Sequence, residues 1–124
     1  MKNTKRGYNR IDRVADLIQK TLAELLLQNM SDDRFHLVTL TGATVSRDFS
    51  YATIFVSVLL DEEKQIKEVV EALNRSAKSL RYELAQKVEL RVIPKLKFVY
   101  DESTARGFRI SSLIDSAVKK SDEE

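Results

Sequence analysis

Residues 50–60, SYATIFVSVLL, decide the fold because they alternate between two kinds of side chain. Every second position carries a small or branched apolar residue, and these are Ala52, Ile54, Val56, Val58 and Leu60. The positions between them carry Tyr, Thr, Phe, Ser and Leu. A period of two is typical of a β-strand that buries one face. The stretch therefore predicts a strand whose even-numbered side chains enter the core.

The residues before this strand predict its partner and a covering helix. Leu37 to Ser46 is rich in Thr, Val and Leu, with a bend expected at Gly42, and a turn at 47–49 leads into the strand at 50–60. These two strands are expected to form an antiparallel pair. Further upstream, apolar residues recur at steps of three and four, which predicts an amphipathic helix from about Tyr8 to Gln28.

The residues after this strand predict two helices and a third strand. Acidic residues at 61–63 suit a helix start, and apolar spacing continues to about Val88 with a change of register between Asn74 and Ser79. We interpret that change as a kink between two helices. Residues 92–100 predict an edge strand that is entered at Pro94, and a short helix is expected around 110–117. The result is a single α+β domain over 1–124, with both middle helices on one sheet face.

Composition excludes several classes of function. The chain has no cysteine, which removes thiol chemistry and suits a reducing, cytoplasmic location. Its one histidine, His36, cannot build a catalytic triad or a histidine metal site, and we assign it a structural role. With three glycines there is no glycine-rich phosphate loop, and no segment is apolar enough for a signal peptide or membrane span. We therefore expect no enzyme activity, no cofactor, no metal and no membrane association.

Charge is distributed unevenly and indicates nucleic acid as the partner. Residues 1–20 carry six basic and two acidic side chains, and residues 75–97 carry seven basic and two acidic ones. On a helical wheel from Arg75, polar and basic residues lie opposite Ala77, Leu80 and Leu84. Such a stripe suits a phosphate backbone. The predicted RNA-binding residues are Lys5, Arg6, Arg10, Arg13, Arg75, Lys78, Ser79, Arg81, Tyr82, Lys95 and Lys97.

Other interpretations stay open from the residues alone. The basic stripe is equally typical of an ordinary solvated helix face. Tyr51 and Phe55, on the outer side of the strand at 50–60, either stack on RNA bases, dock a partner protein, or are covered by the first or last helix. Coverage by a helix is the structural interpretation and is favoured over stacking. A regulator that reads single-stranded RNA or DNA is a further alternative.

Several ordered motifs resemble the ribosome-binding factor A family over nearly the whole chain. The first helix begins with Arg10, Ile11 and Val14, and VSRDFS at 45–50 looks like the family's strand-turn-strand signature. PKLKFVYDES at 94–103, followed by Gly107, Arg109-Ile110 and Leu113-Ile114, is similar to its closing signature. The resemblance implies a type-II KH-like domain of order α-β-β-α-α-β with a short C-terminal helix. From the residues themselves we expect a basic arm at 1–7 and a disordered tail at 119–124.

The resemblance implies a function that periodicity and charge do not show. It implies a monomer that binds 16S rRNA within free 30S subunits, not translating ribosomes. It further implies a role in late subunit maturation and processing of the 5′ end of the 16S precursor, in cold adaptation, and a functional link to assembly GTPases.

The segment between the two middle helices departs from both the usual KH loop and the family's own kink motif. Ordinary KH domains hold nucleotides with a Gly-x-x-Gly loop, and this chain has no glycine between Gly42 and Gly107. The family carries a kink at an Ala-x-Gly element, which reads Ala77-Lys78-Ser79 here. Serine resists positive φ, so Ser79 is expected to make the kink less sharp or keep RNA further away, unless its hydroxyl bonds a phosphate.

Overall fold

A computed structural model describes residues 9–28 and 33–103. Its elements in chain order are helix α1 (Arg10–Gln28), a 3₁₀-helix (Asp33–Leu37), strands β1 (Val38–Val45) and β2 (Tyr51–Val58), helices α2 (Glu63–Arg75) and α3 (Ala77–Lys87), and strand β3 (Lys95–Tyr100). This is the predicted α+β, KH-like order. The arm at 1–7, the helix expected at 110–117 and the tail at 119–124 lie outside the described residues.

Helix α1 begins two residues later than predicted because Asn9 caps it. The Asn9 side chain accepts a hydrogen bond from the Asp12 amide, and the Asp12 carboxylate accepts one from the Asn9 amide, each at 3.1 Å. This reciprocal pair satisfies amides that a helix leaves unpaired at its start.

Within the described residues, no helix is both long and apolar enough to cross a membrane.

The sheet has the order β1-β2-β3, with β1 antiparallel and β3 parallel to the central strand β2. The register between β1 and β2 shifts between Leu40 and Gly42, which confirms the predicted bend. Strand β2 buries Ala52, Ile54, Val56 and Val58, as its alternation predicts. These side chains join one core with the buried faces of all three helices, so the helices cover the inner face of the sheet.

Two side chains hold the helices against β3. The Asn74 amide group pairs with both backbone groups of Phe98, accepting from its N–H at 2.8 Å and donating to its carbonyl at 2.9 Å. The Arg81 guanidinium donates to the carbonyl of Ile93 at 2.7 and 3.0 Å and to that of Pro94 at 3.2 Å. β3 is an edge strand of the described sheet, and such edges leave backbone groups unpaired. Asn74 therefore does at Phe98 what a neighbouring strand would do, and Arg81 fixes the residues just before β3.

Replacing Asn74 with Ala tests this arrangement. The variant leaves the N–H and carbonyl of the buried Phe98 without their partner, so its free energy of unfolding should fall by about 1–2 kcal/mol. Urea denaturation measures the change. Gln86→Ala, at an exposed position of α3, is the control and should change stability by less than about 0.5 kcal/mol. Equal effects of the two substitutions would contradict the role given to Asn74.

Candidate nucleic-acid interface

The two middle helices meet at a single residue, Ser76. Its φ and ψ are −89° and −1°, and it ends α2 and begins α3. Its N–H lies 3.1 Å from the Ala72 carbonyl and 3.0 Å from the Leu73 carbonyl, while its own carbonyl accepts from Leu80 at 2.9 Å. The Ser76 side chain makes no capping hydrogen bond to either helix. The predicted kink therefore exists, and its centre is Ser76.

The predicted kink residues Ala77-Lys78-Ser79 need correction, since they form the first turn of α3. Among the described residues, Phe49 is the only non-glycine residue with a positive φ. Ser79 therefore adopts no conformation that a glycine would favour, and the expected cost of serine at this position does not arise. The triplet follows the break and does not create it.

The break places four of the predicted RNA-binding residues on one exposed surface, which we call the break surface. It consists of Arg75 at the end of α2, together with Lys78, Ser79 and Tyr82 on α3. All four are exposed, Tyr82 to 70%, while Leu80 and Leu84 on the other side of α3 are buried. The first turn of α3 has no acidic residue. The surface suits a phosphate backbone.

Arg81 does not belong to this surface, and the prediction that it projects freely is wrong. It is half-buried, and its guanidinium is bonded to the Ile93 and Pro94 carbonyls as described above. Its position gives the reason, because it lies three residues before the buried Leu84 and so about 60° from it on a helical wheel. Arg81 positions the loop before β3, and we exclude it from the interface.

Arg10 and Arg13 are exposed at the start of α1, and Arg10 contacts the β1–β2 turn. The Arg10 Cζ lies 5.9 Å from the centre of the Phe49 ring, a cation–π distance. Phe49 has a φ of 60°, which is unusual for a bulky residue. The sequence pattern gave no signal for this contact, because it joins residues 39 positions apart. Lys5 and Arg6 lie outside the described residues.

The β1–β2 turn also carries a negative group. Asp48 accepts hydrogen bonds from the Ser50 hydroxyl at 2.6 Å, the Ser46 hydroxyl at 2.8 Å and the Ser50 amide at 3.1 Å. These bonds, with that of the Ser50 side chain first, lower the pKa of Asp48 below its ordinary value of 3.8. Asp48 is therefore ionised at neutral pH and offsets the charge of Arg47. Its role is to shape the turn.

Lys95 and Lys97 lie on a different side of the molecule from the break surface. Both are exposed on β3, where they alternate with Leu96 and Phe98, which are buried under the helices. They therefore project from the outer face of the sheet, opposite the helix layer. Tyr51 shares that face and is 56% exposed, so α1 does not cover it. The other predicted cover, the last helix, lies outside the described residues. Phe55 is half-buried there. Of the predicted RNA-binding residues, Lys95 and Lys97 are thus separated from those of the break surface.

Comparison with known proteins gives one consistent result. The sequence profile of the ribosome-binding factor A family matches residues 10–114. The chain is 49% identical over 115 residues to ribosome-binding factor A of Nitrosomonas europaea, covering 93% of this chain and 97% of that protein. It is also similar to the crystal structure of ribosome-binding factor A from Thermus thermophilus, with a TM-score of 0.64, 26% identity, and coverage of 74% and 97%.

A third similar structure was fitted into the map of a ribosomal complex. A Thermus thermophilus RbfA homology model, fitted into the cryo-EM map of a 30S–RbfA complex, matches with a TM-score of 0.57 and 27% identity. The match covers 71% of this chain and 91% of that one. A profile match across most of the chain, a close relative of almost equal length and shared folds agree, and the chain belongs to the ribosome-binding factor A family.

Proposed function

We propose that this chain is a non-enzymatic cytoplasmic factor that binds free 30S ribosomal subunits and assists their late maturation. The main support is that the chain shares its fold with the Thermus thermophilus RbfA that was fitted into the map of a 30S–RbfA complex. The proposed role includes processing of the 5′ end of the 16S rRNA precursor and growth in the cold. The proposed partners are 16S rRNA and, functionally, assembly GTPases, and the factor acts as a monomer.

The break surface is the proposed contact with 16S rRNA. Arg75 and Lys78 supply positive charge, Ser79 supplies a hydroxyl, and Tyr82 presents an exposed ring. Arg10 and Arg13, on the first turn of α1, are proposed as additional phosphate contacts. Lys5 and Arg6 remain candidates by sequence alone. Asn74 and Arg81, which bond to β3 and its approach, support the contact by fixing both helices beside the break.

Sedimentation of the protein through a sucrose gradient of cell extract tests the proposed partner. We expect it in fractions of free 30S subunits and not in fractions of translating ribosomes. Ribonuclease treatment should release it, because the contact is with rRNA. Retention after ribonuclease treatment would favour the alternative of a protein-interaction module, and an even distribution over all RNA-containing fractions would favour a general RNA binder.

Reversing charge on the break surface tests the proposed contact. If about six phosphates are contacted, affinity for 30S subunits should fall about a thousandfold between 50 and 200 mM salt. The double variant Arg75→Glu, Lys78→Glu should bind much more weakly, with the slope of log affinity against log salt reduced by about 2. Arg81 is left intact because it bonds to the backbone before β3.

A control variant with the same change in charge is available on α2. Lys64 and Lys67 are exposed near the start of α2, away from the break at Ser76. Lys64→Glu, Lys67→Glu should retain most of the affinity, apart from a small effect of net charge. If both double variants lose affinity equally, only overall charge matters and the break surface is not the contact.

A further inference from the structure

We propose that the outer face of the sheet is a second RNA-binding surface, which holds an unpaired RNA strand. Tyr51 would stack on a base, and Lys95 and Lys97 would contact the adjoining phosphates. This surface is separate from the break surface, because the helices and the core lie between them. It goes beyond the proposed function by assigning a second site and the kind of RNA that it takes.

Strand register brings the three side chains together. Tyr51 pairs with Lys95 and Thr53 pairs with Lys97 across the β2–β3 ladder, so all four side chains share the outer face. The Lys95 Nζ lies 6.0 Å from the centre of the Tyr51 ring. The two lysines are about 6.6 Å apart along the strand. That separation is comparable to the distance between successive phosphates of an extended RNA strand.

The rest of this face is rich in hydroxyl groups. Outward positions beside Tyr51 carry Thr53 and Ser57 on β2 and Thr39 and Thr44 on β1, as the pairing register shows. Gly42 pairs with Phe55, and a Cβ at Gly42 would lie 3.9 Å from the Phe55 ring. The half-buried ring therefore lies close to the glycine backbone instead of standing out from the sheet. Hydroxyl groups are available for bonds to sugar and base edges.

Charge favours a polyanion over a protein partner on this face. The three strands contain two lysines and no aspartate or glutamate. The acid that follows β3, Asp101, is bonded to the Thr41 hydroxyl at 2.7 Å and to the Ser103 hydroxyl at 2.6 Å. Beside Tyr51 the outward residues are mainly Thr, Ser and Lys, with the half-buried Phe55 and Val99 paired further along the ladder. An exposed ring beside lysines is how single strands are held without sequence preference.

Binding of a labelled, unstructured oligoadenylate tests the proposal, with fluorescence anisotropy as the measurement. The Arg75→Glu, Lys78→Glu protein serves as the background, so that a failure of the break surface cannot affect the result. In that background, Tyr51→Leu should weaken binding by about tenfold or more, because stacking on the ring is lost. Tyr51→Phe should retain binding. Leu27→Ala is the control, since it removes an apolar side chain that is 70% exposed on α1, and it should have no effect.

A second readout separates stacking from general loss of affinity. Oligoadenylate should shift the NMR signals of the Tyr51 ring upfield, through the ring current of a stacked base. Unchanged affinity in Tyr51→Leu, or shifts at Tyr82 alone, would overturn the proposal. Tyr51→Leu is also made in the otherwise unchanged chain. If it weakens binding to 30S subunits but leaves the affinity for oligoadenylate the same, the outer face binds a protein and the proposal is wrong.

Discussion

The pairing of the Asn74 side chain with the backbone of Phe98 is the interaction on which the candidate interface depends. Strand β3 lies at the edge of the described sheet, and one amide group satisfies both backbone groups of a buried residue there. Asn74 lies two residues before Ser76 and Arg81 lies five residues after it. One side chain from each helix is thus attached to β3 or to the residues just before it. The break between the helices is held in place because both of its sides are fixed.

This attachment explains how the fold manages without a Gly-x-x-Gly loop. A glycine loop brings RNA close by removing side chains, whereas here a one-residue break separates two helices and side chains on both sides of it are exposed. Arg75 and Lys78 face solvent because Leu80 and Leu84 fill the core on the opposite side. Recognition through such a surface is electrostatic and follows the shape of the RNA backbone. Within residues 9–28 and 33–103, helices cover one face of the three-stranded sheet, and Tyr51, Lys95 and Lys97 are exposed on the other.

Much of the fold could be predicted from the sequence, because its strongest signals are local. The alternation at 50–60, the bend at Gly42 and the entry of β3 at Pro94 are each encoded by a few neighbouring residues, and all three are confirmed. The position of Arg81 was not predicted, because the charge pattern takes no account of how close Arg81 lies to the buried Leu84 around the helix. The contacts of Asn74 with Phe98 and of Arg10 with Phe49 join distant residues, so no periodicity could predict them. Lys95 and Lys97 lie on a different surface from the basic residues of the helices. This too could not be predicted, because it depends on how the helix layer packs on the sheet.

The central claim is that the break at Ser76 presents side chains directly to 16S rRNA. Site-specific photo-cross-linking tests it, with a photoreactive amino acid in place of Lys78 and the protein bound to free 30S subunits. The control probe replaces Gln65, which is exposed near the acidic start of α2. If the break surface contacts 16S rRNA, cross-links to this RNA should form from position 78 and few or none from position 65. Cross-links to ribosomal proteins alone from position 78, or equal RNA yields from both positions, would contradict it.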